Sequence, residues 1–227
     1  MNASTEILII GPGRLGRCMT RWLQHRGQPV RLIGRGDLIP RAPITWLTVP
    51  DRAIAEVARD VPPDGILLHA SGAMGLDPLE PHPNTGSLHP LMTFTGTETR
   101  TDMPAQIPAA VSGTTLARRA ALELASLLGF QAFDFDGDRR IYHAAAVLSG
   151  NFATVLLARA AELLATQGVP QSEARQYLAP LAVQSILNAA KAAPEEILTG
   201  PVARKDHDVI RSHQEAIASI APEQLDL

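Results

Sequence analysis

A chain of 227 residues is long enough to bury a large core in one or two domains. Its formal net charge of −3 creates no global field toward nucleic acid or membranes, and no apolar run is expected to reach the ~20 residues of a membrane span. The single cysteine, Cys18, cannot form an internal disulfide and suits a reducing compartment. We therefore expect a cytoplasmic protein that binds neither nucleic acid nor membrane.

A glycine-rich loop follows the first apolar run, Ile7–Ile10, and precedes a helix-like stretch over residues 17–26. Strand, Gly11-x-Gly13-x-x-Gly16 and helix in this order form a dinucleotide fingerprint. Free N–H groups at such a helix start attract phosphates. We predict that the cofactor-binding residues of this loop are Gly11, Pro12, Gly13, Arg14, Leu15 and Gly16. The alternative is a structural turn without a ligand.

The end of the second predicted strand, residues 29–33, indicates which dinucleotide is preferred. An NAD site usually carries an acidic residue there, but this sequence has Arg35. A guanidinium can pair with the 2′-phosphate of NADP through two hydrogen bonds. Arg35 therefore favours NADP, and Asp37, slightly later, supports the less favoured NAD interpretation.

Further strands are predicted at 44–49, 66–70, 86–92 and 107–111, with an edge strand at 130–135. Asp51 is a candidate cap for a helix over 53–59, and another helix spans 114–128. Only about ten residues separate the second and third strands, too few for a full crossover helix. Val49 and Pro50, after the third strand, are assigned to the cofactor site because ligands bind beyond strand ends in such sheets.

The sequence is helical in character from Ile141 onward. A long Ala- and Leu-rich helix is predicted over 142–166, and one or two helices over 171–193 with Pro180 as a kink or break. Shorter helices follow at 195–199 and 206–220. The predicted organisation is α/β, with a Rossmann-like, mostly parallel sheet in residues 1–136 and an all-helical domain in residues 137–227.

Three further segments carry a resemblance to a known family: residues 69–73 with 87–94, residues 142–151, and residues 198–206. With the glycine loop, they resemble bacterial Rossmann-like NADP-binding proteins that have a helical C-terminal domain of unknown function. The chain is more distantly similar to pyrroline-5-carboxylate reductase, ketopantoate reductase and deazaflavin-dependent NADP reductases. The resemblance implies a 6-phosphogluconate-dehydrogenase-like helical domain, which often dimerises, and implies no particular substrate.

The sequence departs from these relatives at two places. Related 3-hydroxyacid dehydrogenases use a lysine on the first long helix of the second domain, and the predicted helix 142–166 has none. In the third segment the family often has glycine before the aspartate, where this chain has Lys205. A different loop geometry is expected there.

Polar residues near strand ends are the candidates for chemistry. His69 and Ser71 follow the fourth predicted strand, and His89 lies near the end of the fifth. We predict His89, His143 and Ser71 as catalytic candidates, because histidine transfers protons near neutral pH. Ser71 is also assigned to the cofactor site and His69 to the substrate, with structural histidines as the alternative.

Two segments of the helical half supply further candidates. His143, Val147 and Asn151 are spaced so that they share one helix face, and Asn151 is assigned to the substrate or, alternatively, to a polar network in a dimer interface. Thr199 and Arg204 are also assigned to substrate binding, since arginine can hold a carboxylate; the alternative for Arg204 is a salt bridge to Asp206 or a neighbouring acid. Asp206 could simply cap the last helix.

The predicted function is a cytoplasmic NADP-dependent oxidoreductase that reduces a small carbonyl or imine substrate and forms a homodimer. The alternative is a non-catalytic NADP-binding sensor or partner-binding subunit, and a redox-inert scaffold is a weaker third. No histidine or cysteine pair has the spacing of metal ligands, so no metal is expected.

Overall fold

A computed structural model describes residues 5–225. The chain divides into two compact units, the first ending at Val147 and the second beginning at Leu148. The predicted boundary, after residue 136, lies earlier than this division. The difference arises because the first turns of the long helix contact the sheet.

The first unit contains a seven-stranded sheet in the order β2-β1-β3-β4-β5-β6-β7. Neighbouring strands are parallel except for the antiparallel pair β5–β6, so the predicted mostly parallel sheet is confirmed. The strands are β1 Ile7–Ile10, β2 Val30–Ile33, β3 Ile44–Leu47, β4 Ile66–His69, β5 Thr85–Pro90, β6 Ile107–Gly113 and β7 Phe130–Asp134.

Three helices accompany the sheet: α1 Arg14–His25, α2 Asp51–Asp60 and α3 Thr115–Leu128. Strands β1 and β3 are buried along their whole length, as expected for parallel strands that are covered on both faces. One core forms around Trp46 with side chains of α1 and α3, and a second forms around Leu47 with side chains of α2. Because paired and alternate residues share a face, these cores lie on opposite sides of the sheet.

Several element ends differ from their predicted positions. Helix α1 begins at Arg14 rather than Arg17, directly after the glycine loop. The prediction that Asp51 caps α2 is wrong, because Pro50 holds the N-cap position and Asp51 is the first helical residue. No helix joins Ile33 to Ile44 in this described segment, in agreement with the predicted short connection.

The long helix is continuous over Arg139–Ala165 but changes its winding midway. It consists of α4 Arg139–Val147, a π-helical turn Leu148–Phe152 and α5 Ala153–Ala165. This run has a mean hydropathy of 1.5, and no residue of its most apolar 18-residue window is buried. By length and composition alone it could cross a membrane, which corrects the expectation that no segment reaches that length.

The second unit is helical, as predicted, with α6 Gln171–Ala189, α7 Pro194–Ile197, α8 Gly200–Ala203 and α9 His207–Ile220 after α5. Pro180 lies inside α6, which does not end there. Asp206 caps α9, and its carboxylate accepts a hydrogen bond from the Val209 N–H group. Lys205 adopts a φ of 55°, the left-handed conformation that glycine favours. The expected difference in loop geometry from the family stays a prediction.

Candidate functional site

The glycine loop is locked to the sheet by Thr48, which follows β3. The Thr48 hydroxyl donates to the Gly11 carbonyl at 2.8 Å, and its N–H donates to the Ile10 carbonyl at 2.8 Å. A Cβ atom at Gly11 would lie 2.8 Å from the Thr48 backbone, and one at Gly16 would clash with the Gly11 carbonyl. These two glycines are therefore required by the fold.

Gly13 differs from both of its partners in the loop. A Cβ atom placed on it would meet only the Thr48 carbonyl oxygen, at 3.9 Å, and its φ of −72° suits any residue. Gly13 is exposed and occupies the N-cap of α1, where no side chain caps the helix. The backbone is thus left open where the free N–H groups of a 12-residue helix begin, as a dinucleotide phosphate requires.

A cavity of about 560 Å³ opens beside this loop, at the carboxyl ends of β1 and β3. From β1 the chain continues to β2 on one side, and from β3 it continues to β4 on the other side of the sheet. Such a reversal of strand order is called a switch point, and α/β proteins bind ligands there. The predicted cofactor residues that line the cavity are Gly11, Pro12, Gly13, Arg35, Val49 and Pro50. Arg14 is exposed at the start of α1, Leu15 packs against the core and Gly16 is buried.

Arg35 and Asp37 both line the cavity, but the two side chains are engaged differently. An Asp37 carboxylate oxygen accepts a hydrogen bond from the Gly34 N–H group at 2.7 Å, which closes the turn after β2. Arg35 is exposed, and no ion pair involves it among residues 5–225. Two further acids, Glu56 and Asp60, line the cavity from α2.

His69 is fully buried at the end of β4 and fastens the following loop. The Ser71 N–H group donates to Nδ1 of His69 at 3.1 Å, so Nε2 carries the proton and donates to the Gly75 carbonyl at 3.0 Å. Burial lowers the pKa of His69 to about 4. Both ring nitrogens are engaged, so this geometry favours the structural alternative over the predicted substrate contact.

Ser71 is buried in the same loop, where its hydroxyl oxygen accepts hydrogen bonds from the N–H groups of Ala73 and Met74 at 3.2 and 3.1 Å. Ser71 does not line the cavity beside the glycine loop. Its observed contacts therefore shape the loop.

His89 belongs to a cluster in which α4 crosses the end of β5. Its Nδ1 atom and the Tyr142 hydroxyl oxygen are 2.8 Å apart and share a hydrogen bond. The rings of His89 and His143 are 6.4 Å apart, and Gly72 fits so closely that its Cβ would lie 2.8 Å from both rings. Burial, followed by the charge of Arg139, lowers the pKa of His89 to about 4, so the ring is neutral near pH 7.

Arg139 is a buried cation at the start of α4, only 7% exposed. Its Nη2 atom donates to the hydroxyl oxygens of Ser87 and Ser112, which face each other across β5 and β6. The guanidinium carbon lies 5.6 Å from the Tyr142 ring centre and 5.6 Å from that of Phe135. Within residues 5–225 its Nη1 atom donates to no acceptor, and the nearby Asp136 pairs with Arg118 instead.

Three predicted substrate residues lie in the second unit. Asn151 is exposed in the π-helical turn, Thr199 is exposed at the N-cap of α8, and Arg204 is exposed at its C-cap. Their roles stay predictions. The described residues contain no group of three potential metal-ligating side chains.

The fold and the glycine-loop cavity define the class of doubly wound α/β proteins with a cavity at the switch point of the sheet. Residues 107–227 match the family described as "Domain of unknown function (DUF2520)", and the chain belongs to this family. No curated protein matches the sequence.

Three solved structures share this fold. A candidate NADP oxidoreductase from Bacteroides fragilis is 24% identical, with a TM-score of 0.83 over 99% of this chain and 95% of that one. A protein from Thermotoga maritima is 22% identical, with a TM-score of 0.72 over 95% and 91% of the two chains. The 1-pyrroline-5-carboxylate reductase of Streptococcus pyogenes is 14% identical, with a TM-score of 0.67 over 99% and 96%.

Sequence reasoning missed the roles of Thr48 and Arg139. Thr48 carries no motif, although its place after a buried strand beside the glycine loop was a usable signal. Arg139 lies just after the predicted domain boundary, and only the crossing of α4 over β5 and β6 reveals its burial.

Proposed function

We propose that this protein is an NADP-dependent oxidoreductase that reduces a small carbonyl or imine compound. The observation that carries the proposal is Gly13, which the fold does not require and which opens on the cavity at the helix start. Exposed Arg35 on the same cavity favours NADP, because Asp37 is engaged in its own turn. The names of the B. fragilis and S. pyogenes proteins, an NADP oxidoreductase and a reductase, agree with this assignment.

The chain's own residues would hold the dinucleotide and supply the proton. The loop from Gly11 to Gly13 and the start of α1 would bind the pyrophosphate, and Arg35 the 2′-phosphate. The dinucleotide would supply a hydride to the substrate carbon. His89 is placed to supply the proton, since it is half-buried and held by Tyr142 through Nδ1, and no described group hydrogen-bonds to its Nε2 atom.

The alternative is a protein that binds NADP without turnover, as a sensor or partner-binding subunit. The long helix favours this alternative, because related dehydrogenases use a catalytic lysine on it and residues 139–165 contain no lysine. The discriminating observation is oxidation of NADPH in the presence of small oxo acids and cyclic imines.

We also propose a homodimer formed through the helical unit. Many large apolar side chains of this unit are exposed, which is typical of surfaces that pair with another protein copy. They include Leu148, Phe152, Leu156, Tyr177, Leu181, Val183, Ile186 and Leu187, each at least 50% exposed.

The test of the proposed function compares the parent protein with Gly13→Val and Gly16→Val. We expect the parent to bind NADPH, and Gly13→Val to fold normally but bind at least tenfold more weakly, because a side chain intrudes on the phosphate site. Gly16→Val should lose stability in a circular-dichroism melt, since its side chain meets the Gly11 carbonyl. Undiminished NADPH binding by folded Gly13→Val would show that the loop is structural only.

A further inference from the structure

The buried guanidinium of Arg139 has no counter-charge in contact among the described residues. Burying a cation without a carboxylate is costly, and proteins usually pair such a group. Here the partners are two neutral hydroxyls, those of Ser87 and Ser112, and the faces of two aromatic rings. Because no carboxylate neutralises the Arg139 charge, that charge can stabilise negative charge that develops on a neighbouring group.

The groups next to this charge are the residues that the proposed reaction needs. The Tyr142 ring is near both groups, with its centre 5.6 Å from the Arg139 guanidinium carbon and 5.5 Å from the His89 ring centre. The Tyr142 hydroxyl bonds to Nδ1 of His89 at 2.8 Å. Ser87 lies two residues before His89 on β5, so its hydroxyl and His89 share one sheet face.

We propose that Arg139 is a positioning residue for proton transfer, whose buried charge favours movement of the Tyr142 hydroxyl proton toward His89. The inference rests on the proposed reductase function. As the substrate oxygen or nitrogen becomes anionic, it takes the Nε2 proton of His89. Nδ1 then takes the proton of Tyr142, and the phenolate that remains belongs to the ring beside the Arg139 guanidinium. One proton leaves the tyrosine and one reaches the product, while the histidine stays neutral and changes from the Nε2–H to the Nδ1–H tautomer.

The electrostatic effects on the pair agree with this geometry. Burial raises the pKa of Tyr142, and the charge of Arg139 opposes that rise. The pKa of His89 is lowered by burial, then by Arg139, His143 and His69. The titratable or charged groups that influence His89 are thus His69 on β4 and Arg139, Tyr142 and His143 on α4. A neutral His89 can pass a proton in each direction, whereas a permanently charged ring could not.

The test measures two pKa values in Arg139→Gln without cofactor or substrate. The His89 ring is followed by NMR and assigned with His89→Gln, and the Tyr142 phenolate is followed by absorbance in a Tyr177→Phe background, which leaves one tyrosine. Loss of the charge should raise both pKa values, each by about one pH unit or more. Arg139→Lys should keep both near the parent values, and Arg140→Gln, which removes an exposed arginine paired with Asp138, is the matched control.

A merely structural role would give a different result. If the substitution only loosened the cluster and admitted water, the His89 pKa would rise while the Tyr142 pKa would fall, because burial shifts the two groups in opposite directions. That outcome, or no change in either group, overturns the proposal. Arg139→Met replaces the glutamine variant if the latter does not fold. Since no cofactor is used, a protein without NADPH turnover could still show both rises, and then only the proposed function would fail.

Discussion

The Tyr142 hydroxyl lies 2.8 Å from Nδ1 of His89, which joins the start of the long helix to the end of a sheet strand. We expect Tyr142→Phe to lower the turnover of NADPH by roughly 100-fold, the lower end of the range for general acid catalysis. The affinity for NADPH should not change, because Tyr142 does not line the glycine-loop cavity.

The control for this substitution is Tyr177→Phe. Tyr177 is exposed on α6, where its hydroxyl donates to Glu173, and it should tolerate the change without loss of activity. Full turnover in folded Tyr142→Phe would remove the tyrosine from the reaction.

Arg35→Asp should erode the preference for NADP over NAD. We expect the parent to prefer NADPH by about tenfold or more, equivalent to roughly 1.4 kcal/mol from one charge-assisted contact. Calorimetric titration with both cofactors measures the ratio. Arg41→Asp makes the same charge change at an exposed site outside the cavity and should leave the ratio intact. Equal parental affinity for the two cofactors would contradict the assignment.

The buried His69 predicts a loss of stability in mild acid. Its pKa is lowered to about 4 in the folded protein, against about 6.5 in an unfolded chain. Between these values the unfolded state binds more protons, so stability falls as the pH drops from about 6.5 to 4, by up to about 3 kcal/mol. Urea unfolding at several pH values measures the slope. His69→Asn keeps an acceptor for the Ser71 N–H group, and its slope should be shallower; an identical slope would reject the assignment.

Lys205→Gly should stabilise the helical unit. The left-handed conformation at φ 55° costs a lysine about 1 kcal/mol but costs a glycine almost nothing. The greater conformational entropy of glycine in the unfolded chain offsets part of this gain in the free energy of unfolding. A higher midpoint in thermal unfolding is expected. Lys191→Gly, another exposed lysine of the same unit, should give no stabilisation. Destabilisation by Lys205→Gly would show that the lysine side chain matters more than the backbone.

The exposed apolar face of the helical unit predicts a dimer in solution. Light scattering at micromolar concentration should give twice the 24.3 kDa chain mass. A pair of charges at Leu156 and Leu181, both more than half exposed, should shift the protein toward monomer without unfolding the sheet unit. A parent that is monomeric at this concentration would refute a stable dimer.

Much of the fold could be predicted because local patterns carry it. Apolar runs predicted the buried parallel strands, and the glycine spacing predicted the loop between β1 and α1. The helix starts were less accurate, since Pro50 rather than Asp51 occupies the cap of α2. Capping depends on the backbone angles at one residue, which composition does not determine.

The candidate site was predictable only in part. His69 and His89 were expected near strand ends, but the sequence cannot tell a histidine with two engaged nitrogens, such as His69, from one with a free nitrogen, such as His89. Arg139 was missed because its burial depends on contacts with Ser87 and Ser112, 52 and 27 residues away along the chain.

The contrast among the three loop glycines has an evolutionary consequence. Gly11 and Gly16 would persist in a descendant that had lost all use for a nucleotide, because the scaffold itself cannot accept a side chain there. Gly13 would be free to drift in such a descendant, since only a ligand opposes a larger residue at that position. The residue at position 13 therefore distinguishes proteins of this fold that still bind a nucleotide from descendants that keep only the fold.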